Sequence, residues 1–220
     1  MVISDMKPKL DPKQFGNQKN LGIQHYLVRL LHRVLSSTDK NSRGEINAVL
    51  CLFVDWRQAF SRQDHTLGIK SFQKNGVRPS LLPLLISYFQ EREMRVKWRN
   101  NLSEARQLPG SGAMGATLGI WEYLSQTKNS ADSIPVEDRF KFVDDLTILE
   151  VINLINIGME SYDVLNHIPS DIPINAKFID GTKLRSQQYL NELDKWIEDQ
   201  KMQINQKKTT AMIFNFTDNF

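Results

Sequence analysis

The 220-residue sequence predicts a mixed fold of the α/β or α+β class. Three observations support this prediction: a nearly continuous apolar run at 46–54, two short apolar runs at 139–143 and 146–151, and helical periodicity at 23–35 and 186–200. The hydrophobic fraction of 40% and the charged fraction of 24% are typical of globular proteins. Extensive disorder, a collagen helix and a coiled coil are therefore not expected.

The first quarter of the chain predicts one helix and one buried strand. Residues 1–22 are polar and contain two prolines, so we expect a loop there. From 23 to 35 the apolar residues follow the spacing of one helix face. The next apolar run, 46–54, is partly β-branched and too short for a core helix. It predicts a central strand that is buried on both faces and ends at Asp55.

The middle of the chain predicts two helices followed by a hairpin. The helices cover 64–75 and 80–92, and the second is entered through a proline. The hairpin strands cover 94–98 and 104–108, because residues 94–98 alternate between apolar and basic side chains. Its turn is expected at Asn100-Asn101.

The C-terminal half predicts a second hairpin and the clearest amphipathic helix. Strands at 139–143 and 146–151 flank Asp144-Asp145 as a two-residue tip. The helix covers 186–200, and a final strand covers 208–216. Residues 152–185 contain two prolines and are expected to be a less regular connection.

The charge is divided unevenly between the two halves of the chain. Residues 1–110 hold 18 Lys and Arg against 9 Asp and Glu, whereas residues 111–220 carry an excess of acid. A basic half suits a polyanionic partner, and ordinary solvated surface is the alternative. The single Cys51 excludes an internal disulfide, and no run is long enough for a bilayer span. The N-terminus has no secretory signal pattern, so we expect an intracellular protein, nuclear or cytoplasmic.

Three carboxylates stand where predicted strands end. Asp55 follows the buried strand, and Asp144 and Asp145 occupy the tip of the hydrophobic hairpin. Adjacent charges between buried strands repel each other and resist desolvation, so they call for a counter-ion. If the two strands are neighbours in one sheet, the carboxylates converge on a hard-oxygen site suited to one or two Mg²⁺ ions. A solvated turn beside an unrelated strand-end aspartate is the alternative.

A glycine-rich turn at 109–115 permits a rival interpretation. Gly110, Gly112 and Gly115 match the spacing of the dinucleotide-binding fingerprint, which would indicate a nicotinamide-dependent oxidoreductase. The residues before the turn make a poor buried strand, and the turn does not open a βαβ unit. A flexible turn leading into a helix at 116–127 is the favoured interpretation.

Five segments follow one another along the chain: LCLFVDWRQAF, NGVRPSLLPLLISYFQEREMRVKW, LPGSGAMGATLG, FKFVDDLTIL and WIEDQKMQINQKKT. Together they resemble the reverse transcriptase palm of non-LTR (LINE-type) retrotransposons, and QFGNQK at 14–19 resembles part of the fingers. The resemblance implies an α+β polymerase palm, in which a small, mainly antiparallel sheet is backed by helices. It implies partial fingers at 1–46 and a palm at 47–220, with the thumb absent.

The resemblance implies an RNA-directed DNA polymerase that performs nucleotidyl transfer with two Mg²⁺ ions, Mn²⁺ being an alternative. Its catalytic, metal-binding aspartates match Asp55, Asp144 and Asp145. The expected partners are an RNA template, a DNA primer and deoxynucleoside triphosphates, with no membrane.

Four further positions match residues that surround the incoming nucleotide in the family: Phe60, Met114, Gly115 and Lys208. Phe60 matches an aromatic residue that abuts the sugar, and a core phenylalanine is the alternative. Lys208 matches a lysine near the phosphates, and a solvated strand-start lysine is the alternative. Met114 and Gly115 belong to the turn beneath the nucleotide.

The chain departs from the family in ways that favour a second hypothesis. Ala113 and Met114 stand where the family normally has Pro-Gln, so a polar contact at the pairing site is lost. The remaining fingers, the thumb and the endonuclease of a parent polyprotein are expected to be missing. The second hypothesis is therefore a catalytically inactive nucleic-acid-binding relic of a reverse transcriptase.

Overall fold

The computed structural model describes residues 1–38, 47–108, 110–111, 116–153 and 185–214. The chain divides into two compact units, each built from separate stretches of sequence. The helical unit comprises Met1–Asp11, Gln58–Ser130 and Ile197–Gln203, and the sheet unit comprises Pro12–Arg57, Ala131–Trp196 and Ile204–Phe220. The expected division into fingers at 1–46 and palm at 47–220 stays a prediction.

The described residues contain six α-helices and eight strands. The helices are α1 (Val2–Met6), α2 (Ile23–Thr38), α3 (His65–Lys74), α4 (Leu82–Phe89), α5 (Thr117–Thr127) and α6 (Arg185–Gln200). The strands are β1 (Asn47–Val54), β2 (Glu93–Met94), β3 (Lys97–Trp98), β4 (Asn101–Leu102), β5 (Arg106–Gln107), β6 (Arg139–Phe142), β7 (Asp145–Asn153) and β8 (Thr210–Phe214). None of the described helices is long and apolar enough to cross a membrane.

A four-stranded antiparallel sheet forms the sheet unit. Its spatial order is β6-β7-β1-β8, so β1 lies between two partners, as the apolar run at 46–54 predicts. Alternate residues of β1 point to opposite faces. Val49 and Cys51 belong to the core on one face, and Leu50 and Leu52 are buried on the other. Burial of both faces explains why the strand has no polar alternation.

Helix α2 covers the face of the sheet that carries Val49 and Cys51. Its buried residues include Tyr26, Leu30 and Val34, which form one core with Phe140 and Leu149 of the strands. Other apolar residues of α2 remain exposed on the far side of the helix: Ile23, Leu27, Val28, Leu31 and Leu35. The sequence predicts the helix correctly, but its apolar residues extend around more of the circumference than the core uses.

Helix α6 begins beside a buried carboxylate of the sheet. Glu150 of β7 accepts hydrogen bonds from the backbone amides of Arg185 and Ser186, at 2.8 and 2.7 Å. The first amides of a helix have no partner within the helix, and a negative charge is favourable near its positive end. Glu150 therefore acts as an N-terminal cap that the chain supplies from a distant strand.

The helical unit has its own core. Met6 of α1 is fully buried among Phe72, Leu85, Phe89 and other apolar side chains of this unit. The loop expected at 1–22 is therefore wrong over its first residues, because burial of Met6 stabilises a short helix that local sequence does not specify. Helix α3 is capped by Asp64, whose side chain accepts from the Leu67 amide at 3.0 Å.

The strands at 93–107 form two short antiparallel ladders in the helical unit. β2 pairs with β5, and β3 pairs with β4 through the register Lys97↔Leu102 and Trp98↔Asn101. The turn is thus Arg99-Asn100, one residue earlier than expected, and Arg99 has a φ of +54°. The hairpin is confirmed, although its regular strands are shorter than predicted.

Candidate active site at the end of the central strands

The pairing of β1 with β7 brings two of the expected carboxylates to the same end of the sheet. The ladder runs from Asn47↔Asn153 to Val54↔Leu146. The residues that follow in this register are Asp55 and Asp145, so the two aspartates oppose each other across neighbouring antiparallel strands. The sequence links them only through the separate predictions of a buried strand and a hairpin, and the sheet makes them neighbours.

The hairpin tip differs by one residue from the expected tip. β6 ends at Phe142, which pairs with Asp145, so Val143 and Asp144 form the two-residue turn and Asp145 begins β7. Val143 has a φ of +58°, an uncommon conformation for a β-branched residue. The side chains of Asp144 and Asp145 are exposed. The turn therefore presents both carboxylates to solvent at the cost of local backbone strain.

Gln14 holds the strained residue of this turn. Its Oε1 accepts from the Val143 amide at 2.9 Å, and its Nε2 donates to the Val143 carbonyl at 3.4 Å. The same Oε1 accepts from the Gly16 amide at 3.0 Å. One buried side-chain amide thus satisfies both backbone groups of Val143, which is why the uncommon conformation persists.

The segment around Gln14 also pairs with the outer edge of the hairpin. The Phe15 amide donates to the Lys141 carbonyl at 2.8 Å, and the Lys141 amide donates to the Lys13 carbonyl at 2.9 Å. A Cβ atom on Gly16 would collide with Val143 Cγ2 and would lie 2.6 Å from the Val143 nitrogen. Only glycine fits here, because the two backbones approach so closely.

Gln14 and Gly16 are thus positioning residues that the pattern of carboxylates does not reveal. They bind the turn that carries Asp144 and contribute no acidic group themselves. The signal that could have found them is the QFGNQK segment, since its resemblance to the fingers marks residues 14–19 as more than a loop.

The carboxylates act on one another electrostatically. Partial desolvation by neighbouring atoms, then the negative charges of Asp144 and Asp55, raise the pKa of Asp145 above its usual value. A like charge opposes ionisation, so a raised pKa marks a place where negative charge is concentrated. The charges of Asp55 and Asp144 both act on Asp145, so the three residues form one electrostatic group.

The carboxylate oxygens of this group are suitable ligands for Mg²⁺, but their present arrangement does not enclose an ion. Carboxylate oxygens are the ligands that Mg²⁺ prefers, and a cation would relieve their repulsion. Within the described ranges, however, no three Asp, Glu, His or Cys side chains are arranged to hold a metal ion as they stand. The charge of this group fits a cation, whereas the described side-chain positions form no ready-made set of metal ligands.

Asp55 is held from its other side by the segment that precedes β8. The Asp55 amide donates to Thr209 Oγ1 at 3.2 Å, and the Asn205 amide donates to the Asp55 carbonyl at 2.8 Å. Lys208 lies in this turn, and its amide donates to the Asn205 carbonyl at 3.0 Å. The structure therefore brings the Lys208 segment beside Asp55, and the Lys208 side chain is exposed.

Of the other three expected nucleotide-binding residues, the structure describes one. Phe60 belongs to the helical unit, where its half-buried ring packs against Tyr123 with 4.7 Å between ring centroids. This contact fits the alternative of a core phenylalanine as well as it fits a nucleotide contact. Met114 and Gly115 lie outside the described residues.

Two solved structures with a similar fold are telomerases. Over 99% of this chain, apo telomerase from Candida tropicalis, truncated from its C-terminal domain, superposes with a TM-score of 0.54 at 11% identity. Telomerase from the same species in complex with a TWJ fragment of telomeric RNA superposes over 96%, with a TM-score of 0.50 at 12% identity. The chain has an α+β, polymerase palm-like fold.

The likeness is one of fold. Telomerase is a polymerase related to reverse transcriptases, so the fold predicted from the five segments is confirmed at that level. The chain spans only 40% and 32% of the length of the two telomerase chains. No protein-family profile and no curated protein matches the sequence.

Proposed function

We propose that this chain is part of an RNA-directed DNA polymerase of the non-LTR retrotransposon type and that it carries the catalytic carboxylates. The observation that carries the proposal is the register of β1 and β7, which sets Asp55 opposite Asp145 with Asp144 in the adjoining turn. The telomerase fold and the five ordered segments support it.

Asp55, Asp144 and Asp145 would hold two Mg²⁺ ions, which would neutralise charge on the primer 3′-oxygen and on the departing pyrophosphate. Gln14 and Gly16 keep the turn that carries Asp144 in one conformation. Asn205 and Thr209 fix the backbone of Asp55. Positioning of this kind matters because misplacement of reacting groups by about 1 Å can cost roughly 100-fold in rate.

The proposed partners are an RNA template, a DNA primer and deoxynucleoside triphosphates. One of the telomerase structures contains a fragment of telomeric RNA, which supports a nucleic-acid partner for this fold. Phe60, Met114, Gly115 and Lys208 are proposed nucleotide contacts on the resemblance alone.

Primer extension on poly-rA/oligo-dT with Mg²⁺ tests the proposal. We expect extension by the parent chain, loss of at least about 100-fold in Asp144→Ala, and little change in Asp199→Ala, which removes an exposed carboxylate of α6. Binding of the labelled primer–template is measured by anisotropy in the same samples. A parent that binds but never extends, even with Mn²⁺, refutes activity in this chain.

A second candidate is a nucleic-acid-binding relic without catalysis. The replacement of Pro-Gln by Ala113-Met114 in the glycine turn favours it. It predicts salt-sensitive binding of an RNA–DNA hybrid that persists without Mg²⁺. Met114→Gln separates the two candidates, because a gain of extension in this variant would locate the defect in the turn.

A further inference from the structure

Residues 92–107 of the helical unit form an exposed ribbon that the proposed polymerase chemistry does not use. Every residue of its four short strands is exposed. The two ladders are joined by Ser103, whose amide donates to the Val96 carbonyl at 2.9 Å and whose Oγ accepts from the Val96 amide at 2.8 Å. We refer to residues 92–107 as the basic ribbon.

The basic ribbon carries a concentrated positive charge. Its sequence holds five Arg and Lys residues against two Glu residues. Among the described ion pairs, none involves Arg95, Lys97, Arg99 or Arg106. These cations are therefore available to an external anion rather than committed to neighbouring carboxylates.

An aromatic side chain stands among these cations. Trp98 is 72% exposed, whereas Trp56 and Trp121 are buried and Trp196 is half-buried. The guanidinium of Arg99 lies 6.0 Å from the centre of the Trp98 ring. Tryptophan is enriched at binding interfaces because its ring offers a large apolar face, so an exposed Trp98 with a cation beside it is suited to contact a partner.

We propose that the basic ribbon binds a single-stranded segment of nucleic acid, with a base stacked on Trp98, one phosphate held by Arg99 beside the ring, and further phosphates held by Arg95 and Lys97 elsewhere on the ribbon. Phosphates complement the charge of the ribbon, and aromatic rings with neighbouring cations are the usual platform for unpaired bases. The binding needs none of the catalytic carboxylates, so it stands whether or not the chain polymerises.

The surface favours a single strand over other occupants. In a duplex the bases are stacked on one another, so their faces cannot reach an exposed ring. A protein partner would suit a continuous apolar patch. Here the exposed apolar residues of the ribbon are matched in number by cations without an ion-pair partner among the described residues, so charge accompanies its apolar surface.

Binding of labelled 12-mer oligo-U and oligo-dT to the full chain tests the proposal by anisotropy. We expect Trp98→Ala to weaken binding by about tenfold or more, and Trp98→Phe to retain most of the affinity, because phenylalanine can still stack. Tryptophan fluorescence of the parent should be quenched on binding, and the quenching should be largely lost in Trp98→Phe. Oligo-U and oligo-dT compared at equal salt decide between RNA and DNA.

Salt dependence tests the phosphate contacts separately. In the double variant Arg95→Gln/Arg99→Gln, the plot of log affinity against log salt concentration should become shallower by about 1.4. Each phosphate contact to a single strand contributes about 0.7 to this slope. The matched control is Lys70→Gln/Lys74→Gln, which removes the same charge from exposed positions of α3 in the same unit. The control should keep the parent slope.

Several outcomes would overturn the proposal. Equal losses in the Arg95/Arg99 variant and in the α3 control would mean diffuse attraction instead of a site. Unchanged affinity in Trp98→Ala, or tighter binding of a blunt duplex than of either single strand, would also refute it. Asp144→Ala should bind oligo-U like the parent, so loss of extension in that variant leaves this proposal standing.

Discussion

The β6–β7 hairpin is buried by the rest of its unit, whereas the basic ribbon is exposed to solvent. In the β6–β7 hairpin, Phe140, Ile148 and Leu149 are at most 1% exposed, and its exposed carboxylates lie at the turn. The buried Glu150 of β7 is instead hydrogen-bonded to the first amides of α6. In the basic ribbon, Trp98 is 72% and Leu102 is 58% exposed, and charges occur along the whole length. Burial therefore determines where a hairpin can carry solvent-exposed charge: at its end when the strands are covered, and along its whole length when they are not.

The sheet unit and the helical unit also differ in whether their buried polar groups have hydrogen-bond partners. The β6–β7 turn is held by Gln14, which satisfies both backbone groups of Val143. The helical unit instead buries Glu122 completely, and within the described structure neither of its carboxylate oxygens has a hydrogen-bond partner. A held turn suits a rigid arrangement of carboxylates, whereas an unsatisfied buried acid makes stability depend on pH.

The largest expected effect concerns this buried acid. Desolvation, opposed by the charge of Arg92 and reinforced by that of Asp64, raises the pKa of Glu122 to about 8. As the pH rises from about 4.5 to 8, the unfolded chain loses this proton while the folded chain keeps it, so the free energy of unfolding falls. At about 1.4 kcal/mol per pKa unit, the loss is at most roughly 5 kcal/mol.

Glu122→Gln should remove this fall in stability, because a neutral amide of the same shape has no proton to lose. Urea unfolding of both proteins at pH 5, 7 and 8.5 measures it. Glu104→Gln, an exposed acid of the basic ribbon, is the control and should behave like the parent. If the free energy of unfolding changes equally with pH in the parent and in Glu122→Gln, Glu122 is not protonated in the folded chain.

The next effect compares the two hairpins directly. Leu149→Ala removes a fully buried side chain from the β6–β7 hairpin and should lower the free energy of unfolding by about 2–5 kcal/mol. Leu102→Ala, the same substitution in the ribbon, should change it by less than about 0.5 kcal/mol. Urea titrations of the two variants measure the contrast, and similar losses would show that the ribbon is covered in solution.

A smaller effect tests the support of the turn. Gly16→Ala introduces a Cβ that must displace Val143, so we expect about 1–3 kcal/mol of destabilisation and a slower extension rate. Gly22→Ala is the matched control, because its Cβ would meet only the end of the Gln24 side chain at 3.1 Å. Equal stability and rate in the two variants would mean that the turn does not depend on the close approach at Gly16.

The smallest effect concerns one hydrogen bond beneath the same hairpin. The Tyr26 hydroxyl and Thr147 Oγ1 lie 2.6 Å apart in a buried position. Tyr26→Phe should cost about 1 kcal/mol, whereas Tyr88→Phe, at a partly exposed ring of α4, should be neutral. Thermal unfolding of both variants measures the difference. If Tyr26→Phe leaves the stability unchanged, the hydrogen bond to Thr147 does not stabilise the hairpin.

Most elements could be predicted from sequence because their periodicity reflects their burial. The apolar run at 46–54 predicts β1, and the spacing at 186–200 predicts α6. The helix at Val2–Met6 could not be predicted, because it depends on burial of Met6 among residues about 70 positions away. The one-residue shifts of both turns, at Arg99 and Val143, also escaped, since each places a non-glycine residue at positive φ.

The sequence by itself determined the elements and the identity of the acidic groups, because hydrophobic periodicity and strand-end aspartates are local properties of the chain. Only the tertiary structure decided that Asp55 opposes Asp145, that Gln14 holds Val143, and that Trp98 stays outside both cores. The physical reason is the same in each case. Register, close backbone approach and exposure depend on residues far apart in sequence, and no local pattern records them.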